Sequence, residues 1–246
     1  RTGYRFPYGQ VLKEKNNAVA VLEKAAEMSD YRAKKELYAS QPKGRIRKGI
    51  GIAAALHGGG FTGAGEDKMG TTARVCFDGC RFALYVSSTE IGQGSSTVLR
   101  MAAAEELGAG MEDVVYMAPD TSKAPNTGPT VASRTTMYGY MKEKGMPDEF
   151  GYNIFDDDSC WDEEKFEGDA YRGYAWIANV IEVEVDTDTY EVSAERVCAA
   201  AEVGRAINPM QLKGQLTGGM LQAIGWSHLE DMRTDDKGRY TASHMN

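Results

Sequence analysis

The sequence lacks long apolar runs, a CxxC pair, a surplus of basic charge and more than a few histidines. Its longest apolar stretches, such as GIGIAAAL at 49–56, fall well short of the about 20 residues that cross a bilayer, so no membrane partner is expected. The N-terminus, RTGYRFPYGQ, lacks the charged-then-apolar order of a signal segment. It also lacks an initiator Met, which reads as a processed or partial product. Four cysteines (Cys76, Cys80, Cys160, Cys198) and three histidines offer no zinc-like spacing. Side-chain metal ligands are therefore not expected, and reduced thiols in a cytoplasmic protein are. Lys and Arg number 28 against 36 Asp and Glu, a formal charge of −8. With no basic stripe to meet phosphates, a nucleic-acid partner is excluded. The dense acidic stretch DDDSCWDEEKFEGD, 156–169, reads as a solvated loop.

What is present is an ordinary globular composition over 246 residues, enough for a sizeable core and two subdomains. Apolar spacing predicts a helix over 17–29, and the polar, basic stretch 30–48 reads as a linker. Residues 45–56 predict a strand buried on both faces, followed by the glycine-rich HGGGFTGAGE. Residues 71–77 and 81–87 alternate around Asp78-Gly79 as a hairpin. A helix is predicted over 95–107, capped by Ser95 or Ser96 and ended by Gly108. A short strand over 112–117 and a long polar loop over 119–133 follow, and Thr135 begins a further helix that Gly139 stops. Residues 175–186 predict a strand carrying Ile177, Val180, Ile181, Val183 and Val185, with a return over 192–200. Asn208-Pro209 opens a long helix to about Leu229, and 231–243 reads as a strand pair. The implied organisation is an N-terminal helix and linker (1–45), a first subdomain (46–140), an acidic connection (141–170) and a second subdomain (171–246).

Three stretches hold chemistry. In TEIGQGSST, 89–97, Gln93 stands between Gly92 and Gly94, and Ser95, Ser96 and Thr97 open a helix. Free N–H groups and the positive helix end favour an anion there, although a tight strand-to-helix connection fits equally well. NTGPTVASR, 126–134, supplies hydroxyls, backbone N–H groups and the Arg134 guanidinium, an inventory suited to a phosphate; a surface loop with an ion-paired Arg134 is the plain reading. In GRAINPMQLKGQLTGG, 204–219, Gln211 and Gln215 share a helix face, solvent exposure being the better reading for Gln211. Gly218 and Gly219, costly in a helix by roughly 1 kcal/mol each, suggest close packing.

Together, in this order, the three motifs resemble the molybdenum-cofactor-binding subunit of the xanthine dehydrogenase and aldehyde oxidase family, over about Gly49 to Glu230. HGGGFTGAGE looks most like the bacterial branch that hydroxylates purines or related N-heterocycles. The resemblance implies an α+β molybdenum cofactor-binding domain of the aldehyde oxidoreductase type, with two α/β subdomains of hairpin sheets packed with helices. It implies molybdopterin, extended as a cytosine dinucleotide in bacterial members. It places Gly92, Gln93 and Gly94 against the pterin, with Gln93 close to the metal; Ser95 and Thr97 belong to the same site. Ala132, Ser133 and Arg134 would meet the metal and the phosphates, Thr130 in support, and Gln215 would border the cofactor. The family's reaction is hydroxylation of a small-molecule substrate, an electron-poor heterocycle or an aldehyde. Water supplies the oxygen, a glutamate acts as base, and electrons leave through iron–sulfur clusters and usually FAD on partner chains or domains.

The resemblance also sets expectations of incompleteness. The family's GxGE glutamate lies beyond Asn246, and the GAGE at 63–66 comes too early, leaving Glu66 a loop carboxylate. The upstream half that lines much of the substrate pocket is absent from this sequence, and the connection over 139–171 is short. The chain alone is therefore expected not to turn over substrate, but to form part of a heteromeric hydroxylase. A non-catalytic cofactor-binding or maturation module is the alternative, and an inert fragment a third reading.

Overall fold

A computed structural model describes residues 3–13, 15–42, 44–65, 72–135, 161–171 and 173–241. The helix expected from Thr135, Glu66, Cys160 and most of the acidic connection lie outside these. The chain divides into two compact units. One comprises Arg1–Glu23, Ala54–Ala178 and Ala200–Asn208; the other comprises Lys24–Ala53, Asn179–Ala199 and Pro209–Asn246. The fold is α+β.

Helix α1, Ala18–Met28, forms where the apolar spacing predicts it. Asn16 Oδ1 accepts from Ala18 N–H at its start (3.0 Å), and Val21, Ala25 and Ala26 are buried. Buried Ser29 closes it by donating to the Ala25 carbonyl at 2.8 Å. The stretch read as a linker is a second helix, α2, Tyr31–Ser40, with no buried residue. Its fixing partner is a carboxylate, which apolar periodicity does not register. Lys34 Nζ and Tyr38 OH both donate to Glu182, at 2.6 and 3.1 Å.

Strand β1, Ile46–Gly58, is not buried on both faces. Its glycines and small alanine side chains have little apolar surface to bury, and Ile46 and Leu56 are exposed. It belongs to a three-stranded sheet of order β1-β7-β8, with β7 at Tyr174–Asp186 and β8 at Val192–Glu202. On β7 the buried side chains are Tyr174, Trp176, Ala178, Val180 and Glu182. Ile177 and Ile181, on the opposite parity, are only half-buried. Two further strands, β5 (Trp161–Asp162) and β6 (Glu167–Gly168), pair antiparallel inside the stretch read as a loop. Asp162 Oδ1 accepts from Glu164 and Lys165 N–H and fixes that turn. Helix α4, Pro209–His228, buries no residue. Where 231–243 reads as a strand pair, the described residues hold a single bridge between Thr234 and Tyr240.

The second sheet positions the site. Strands β2 (Arg74–Phe77) and β3 (Phe82–Tyr85) pair antiparallel around Asp78, whose Oδ1 accepts from Cys80 and Arg81 N–H. Helix α3, Ser95–Leu107, then returns the chain so that β4, Val114–Tyr116, runs parallel to β3. Leu84, Val86, Leu99, Ala104 and Val114 form the core between helix and sheet. Each large apolar side chain there contributes roughly 1.5–3 kcal/mol. Arg100 on α3 clips the crossover by donating to the carbonyls of Val114 (2.9 Å) and Met111 (2.6 Å). Parallel strands end on the same edge, so the loops leaving β3 and β4 emerge side by side.

Candidate functional site

Those two loops are the stretches that carry TEIGQG and NTGPTVASR. They are laced together by reciprocal bonds: Ser87 N–H donates to Thr127 Oγ1 and Thr127 N–H to Ser87 Oγ, each at 2.8 Å. Thr89 N–H donates to Thr130 Oγ1 at 2.7 Å. The structure thus brings the first two predicted segments into one surface.

The helix start differs from the sequence expectation. Neither Ser95 nor Ser96 caps α3: the cap is Gly94, in a left-handed conformation with φ 81°. The anion favoured at this helix end is Glu90, from the chain itself. Its carboxylate accepts from the N–H groups of Gly92 (2.9 Å), Gly94 (3.0 Å) and Ser96 (2.9 Å) and from the Ser95 hydroxyl (3.3 Å). Partial burial pushes its carboxyl up, but the hydrogen bonds from Ser96, Gly94 and Gly92 outweigh this and hold it at about 2. Isoleucine and the GQG motif separate it from the helix in sequence, so it does not stand at the usual cap position. A carboxylate a few residues before a helix start is the signal that could have revealed it.

Gln93 braces the same loop. Its Oε1 accepts from Ile91 N–H at 2.6 Å, and its Nε2 donates to the Thr89 carbonyl (2.8 Å) and to Ser95 Oγ (3.1 Å). Both amide hydrogens are used, and one carbonyl lone pair remains. Ser95 is buried, while Thr97 sits half-buried in the first turn of α3. Gly92, with φ 95°, supplies the left-handed turn that folds the loop back.

In the second loop Arg134 is not at the surface. It is 1% exposed, and its Nη1 donates to the carbonyls of Thr127 (3.1 Å) and Pro129 (3.2 Å). It holds the loop from inside. Gly128 is required by this arrangement, since a Cβ there would lie 2.4 Å from Arg134 Nη1. Ala132 and Ser133 are consecutive left-handed residues, φ 54° and 55°, a costly conformation for side chains. Among the described residues their N–H groups and the Ser133 hydroxyl have no hydrogen-bond partner. The Ala132 carbonyl accepts from Gly60 N–H at 2.8 Å, joining this turn to the glycine-rich HGGGF loop.

Beside Ala132 lies a cavity of about 400 Å³ lined by Tyr8, His57, Gly60, Phe61, Thr62, Tyr171 and Tyr174, among others. Gly58 leaves room for the Tyr171 ring, which a Cβ would meet at 2.1 Å. Tyr171 and Thr62 share a hydrogen bond of 2.9 Å. No periodicity or motif marked the tyrosines, which reach the wall from two segments more than 160 residues apart.

Gln215 lies on α4, in the other unit, with an exposed side chain. Gln211, expected at the surface, is half-buried. Among the described residues no cluster of His, Cys, Asp or Glu is disposed to hold a metal ion, and no helix is long and apolar enough to cross a membrane.

Known proteins share this architecture. Residues 24–141 and 139–246 match the molybdopterin cofactor-binding domain. Xanthine dehydrogenase 2 of Arabidopsis thaliana is 25% identical over 222 residues, covering 77% of this chain and 16% of the plant protein. The 6-hydroxypseudooxynicotine dehydrogenase complex subunit gamma of Paenarthrobacter nicotinovorans is 25% identical over 291 aligned positions, 98% of this chain and 35% of that subunit. The chain thus spans 16% to 35% of these relatives' length. Quinoline 2-oxidoreductase from Pseudomonas putida 86 shares the fold with a TM-score of 0.71 at 22% identity, over 98% of this chain and 38% of its own. The chain belongs to the molybdopterin cofactor-binding domain family of the molybdenum hydroxylases, the xanthine dehydrogenase and aldehyde oxidoreductase group.

Proposed function

We propose that the chain is the cofactor-binding part of a molybdenum hydroxylase that oxidises an electron-poor N-heterocycle or an aldehyde. Water supplies the oxygen and electrons pass to iron–sulfur and FAD partners. The observation that carries this reading is the strained Ala132–Ser133 turn. Its N–H groups and hydroxyl are left over for a ligand, beside both a braced GQG loop and an open cavity.

The residues fit a phosphate-bearing pterin selectively. Ala132 and Ser133 supply donors, Thr130 a hydroxyl, and Gln93 a remaining carbonyl lone pair for a pterin N–H. Gly92 and Gly94 let the backbone approach, and the pyrophosphate of a cytosine dinucleotide form would take such donors. The α3 N-terminus, with Ser95 and Thr97, does not fit a phosphate, because Glu90 fills it. Gln215, exposed on α4, is assigned a cofactor-bordering role. When bound, the molybdenum centre supplies the oxidation of a carbon with water as oxygen donor. This chain's residues bind and orient the cofactor, and the tyrosine-lined cavity receives substrate while its aromatic walls exclude water.

Metal analysis of the assembled complex tests the reading. One molybdenum per chain, co-purifying with iron and flavin, is the expected result. A complex that contains this chain but neither molybdenum nor pterin would overturn it.

A further inference from the structure

The cavity wall carries two hydroxyls, those of Tyr174 and Tyr8, whose hydrogen-bond polarity is fixed by their neighbours. The determinant is Gln10, which is 7% exposed. Its Oε1 accepts from the N–H groups of Ala170 (3.1 Å) and Tyr171 (3.2 Å), and its Nε2 donates to the Tyr171 carbonyl. Two backbone donors on one side and a backbone acceptor on the other leave the amide a single orientation.

The consequence passes outward along the chain of hydroxyls. Tyr174 OH meets Gln10 Oε1 at 2.5 Å and must donate to it. Its proton is then committed, so in the 2.6 Å contact with Tyr8 it accepts, and Tyr8 donates. Burial pushes the Tyr8 hydroxyl's pKa up, which keeps it protonated. Tyr8 has then spent its one proton, and what remains on its oxygen is acceptor capacity. The other polar groups on the wall are not fixed in this way: Thr62 and Tyr171 can exchange donor and acceptor roles across their 2.9 Å bond, and His57 can present either tautomer.

We propose that Tyr8 is a specificity-determining acceptor in this cavity, favouring planar substrates that present an N–H or O–H donor over those that present only acceptors or a methylated nitrogen. This rests on the reading that the cavity receives substrate. Tyr8 is well placed for such a task. Its ring stacks on Phe6 at 5.2 Å, and Gly168 N–H donates to its carbonyl at 2.7 Å, so ring and backbone are both held. A hydrogen bond left unmade in a site built for it discriminates more strongly than lost contact area.

The test uses the assembled hydroxylase with Tyr8→Phe, which keeps the stacked ring. The readout is the ratio of kcat/KM for a ring-N–H heterocycle to that for its N-methyl analogue. Comparing this ratio between wild type and variant cancels the bulk of the methyl group. Loss of one neutral hydrogen bond predicts a ratio lower by about three- to tenfold in the variant. Tyr174→Phe frees the Tyr8 proton, so it should also lower the ratio and raise turnover of acceptor-only substrates. An unchanged ratio in Tyr8→Phe overturns the proposal. Thr62→Trp, which fills the cavity, separates the two levels. If it raises KM several-fold while the Tyr8→Phe ratio is unchanged, the acceptor role fails and the cavity reading stands. If it leaves KM unaltered, the cavity does not receive substrate and both fall.

Discussion

Glu90→Gln removes the charge from the α3 N-terminus while keeping the side chain's size. The wild-type carboxylate accepts four hydrogen bonds through two oxygens, whereas the amide offers one carbonyl and turns an N–H₂ toward backbone donors. A carboxyl held at about 2 against an ordinary 4.5 corresponds to at most about 3 kcal/mol. Glu90 is exposed, so solvent screening reduces the expected cost to about 1–2 kcal/mol, the range of a lost helix cap. Because the folded pKa lies below the unfolded one, this stability is complete above about pH 4.5 and disappears as pH falls toward 2. Thermal unfolding of the chain at a series of pH values should show Glu90→Gln less stable at pH 7. Its Tm should then converge on wild type as the medium is acidified through that window. A variant with wild-type Tm at pH 7, or one with a constant deficit down to pH 2, would refute the assignment of Glu90 as the internal anion.

Arg134→Met should destabilise the chain by about 2–4 kcal/mol in denaturant unfolding, since it strands the Thr127 and Pro129 carbonyls around a filled core position. Gln93→Ala should cost only about 1 kcal/mol of stability while lowering molybdenum content per folded chain; the opposite pattern would make Gln93 purely structural. Gly58→Ala should destabilise by about 1–3 kcal/mol through collision with the Tyr171 ring, and much less in a Tyr171→Ala background, as a double-mutant cycle of melting curves would reveal.

Elements specified by apolar rhythm or by turn residues were legible in the sequence. α1, α3, α4, the β2–β3 hairpin around Asp78 and the long strand β7 fall within a few residues of their expected places. What escaped is held by polar partners. Helix α2 has almost no apolar face, and its attachment is the Lys34–Glu182–Tyr38 cluster, whose members stand some 140 residues apart in sequence. The same physics hid the parity of β7, where a carboxylate occupies a buried position beside half-buried isoleucines. At the site, the two glycine loops were legible because glycine and proline advertise unusual backbone. The side chains within them were assigned outward roles that the structure reverses for Arg134 and turns inward for Gln93, since composition states which groups exist but not which backbone atoms they satisfy. The tyrosine cavity was invisible for a different reason: Tyr8, Tyr171 and Tyr174 each look like an ordinary core or surface aromatic until the fold joins them.

The placement of charge explains why the two loops are tied so closely. A helix N-terminus attracts one anion, and here Glu90 takes that place at covalent effective concentration. A second anion at the same N–H groups would meet a neighbouring negative charge and find its donors occupied, so the proposed cofactor phosphate is assigned to the adjacent loop. There the left-handed Ala132–Ser133 turn holds donors unpaired at a conformational cost of order 1–3 kcal/mol per residue. That cost must be met locally. The buried Arg134 clamp, the Gly60–Ala132 bond and the Ser87–Thr127 exchange supply the contacts that keep the turn from relaxing. Glu90 and Arg134 are thus complementary: an internal anion fills the α3 N-terminus, and an internal cation, hidden beneath the neighbouring loop, holds the left-handed turn in place.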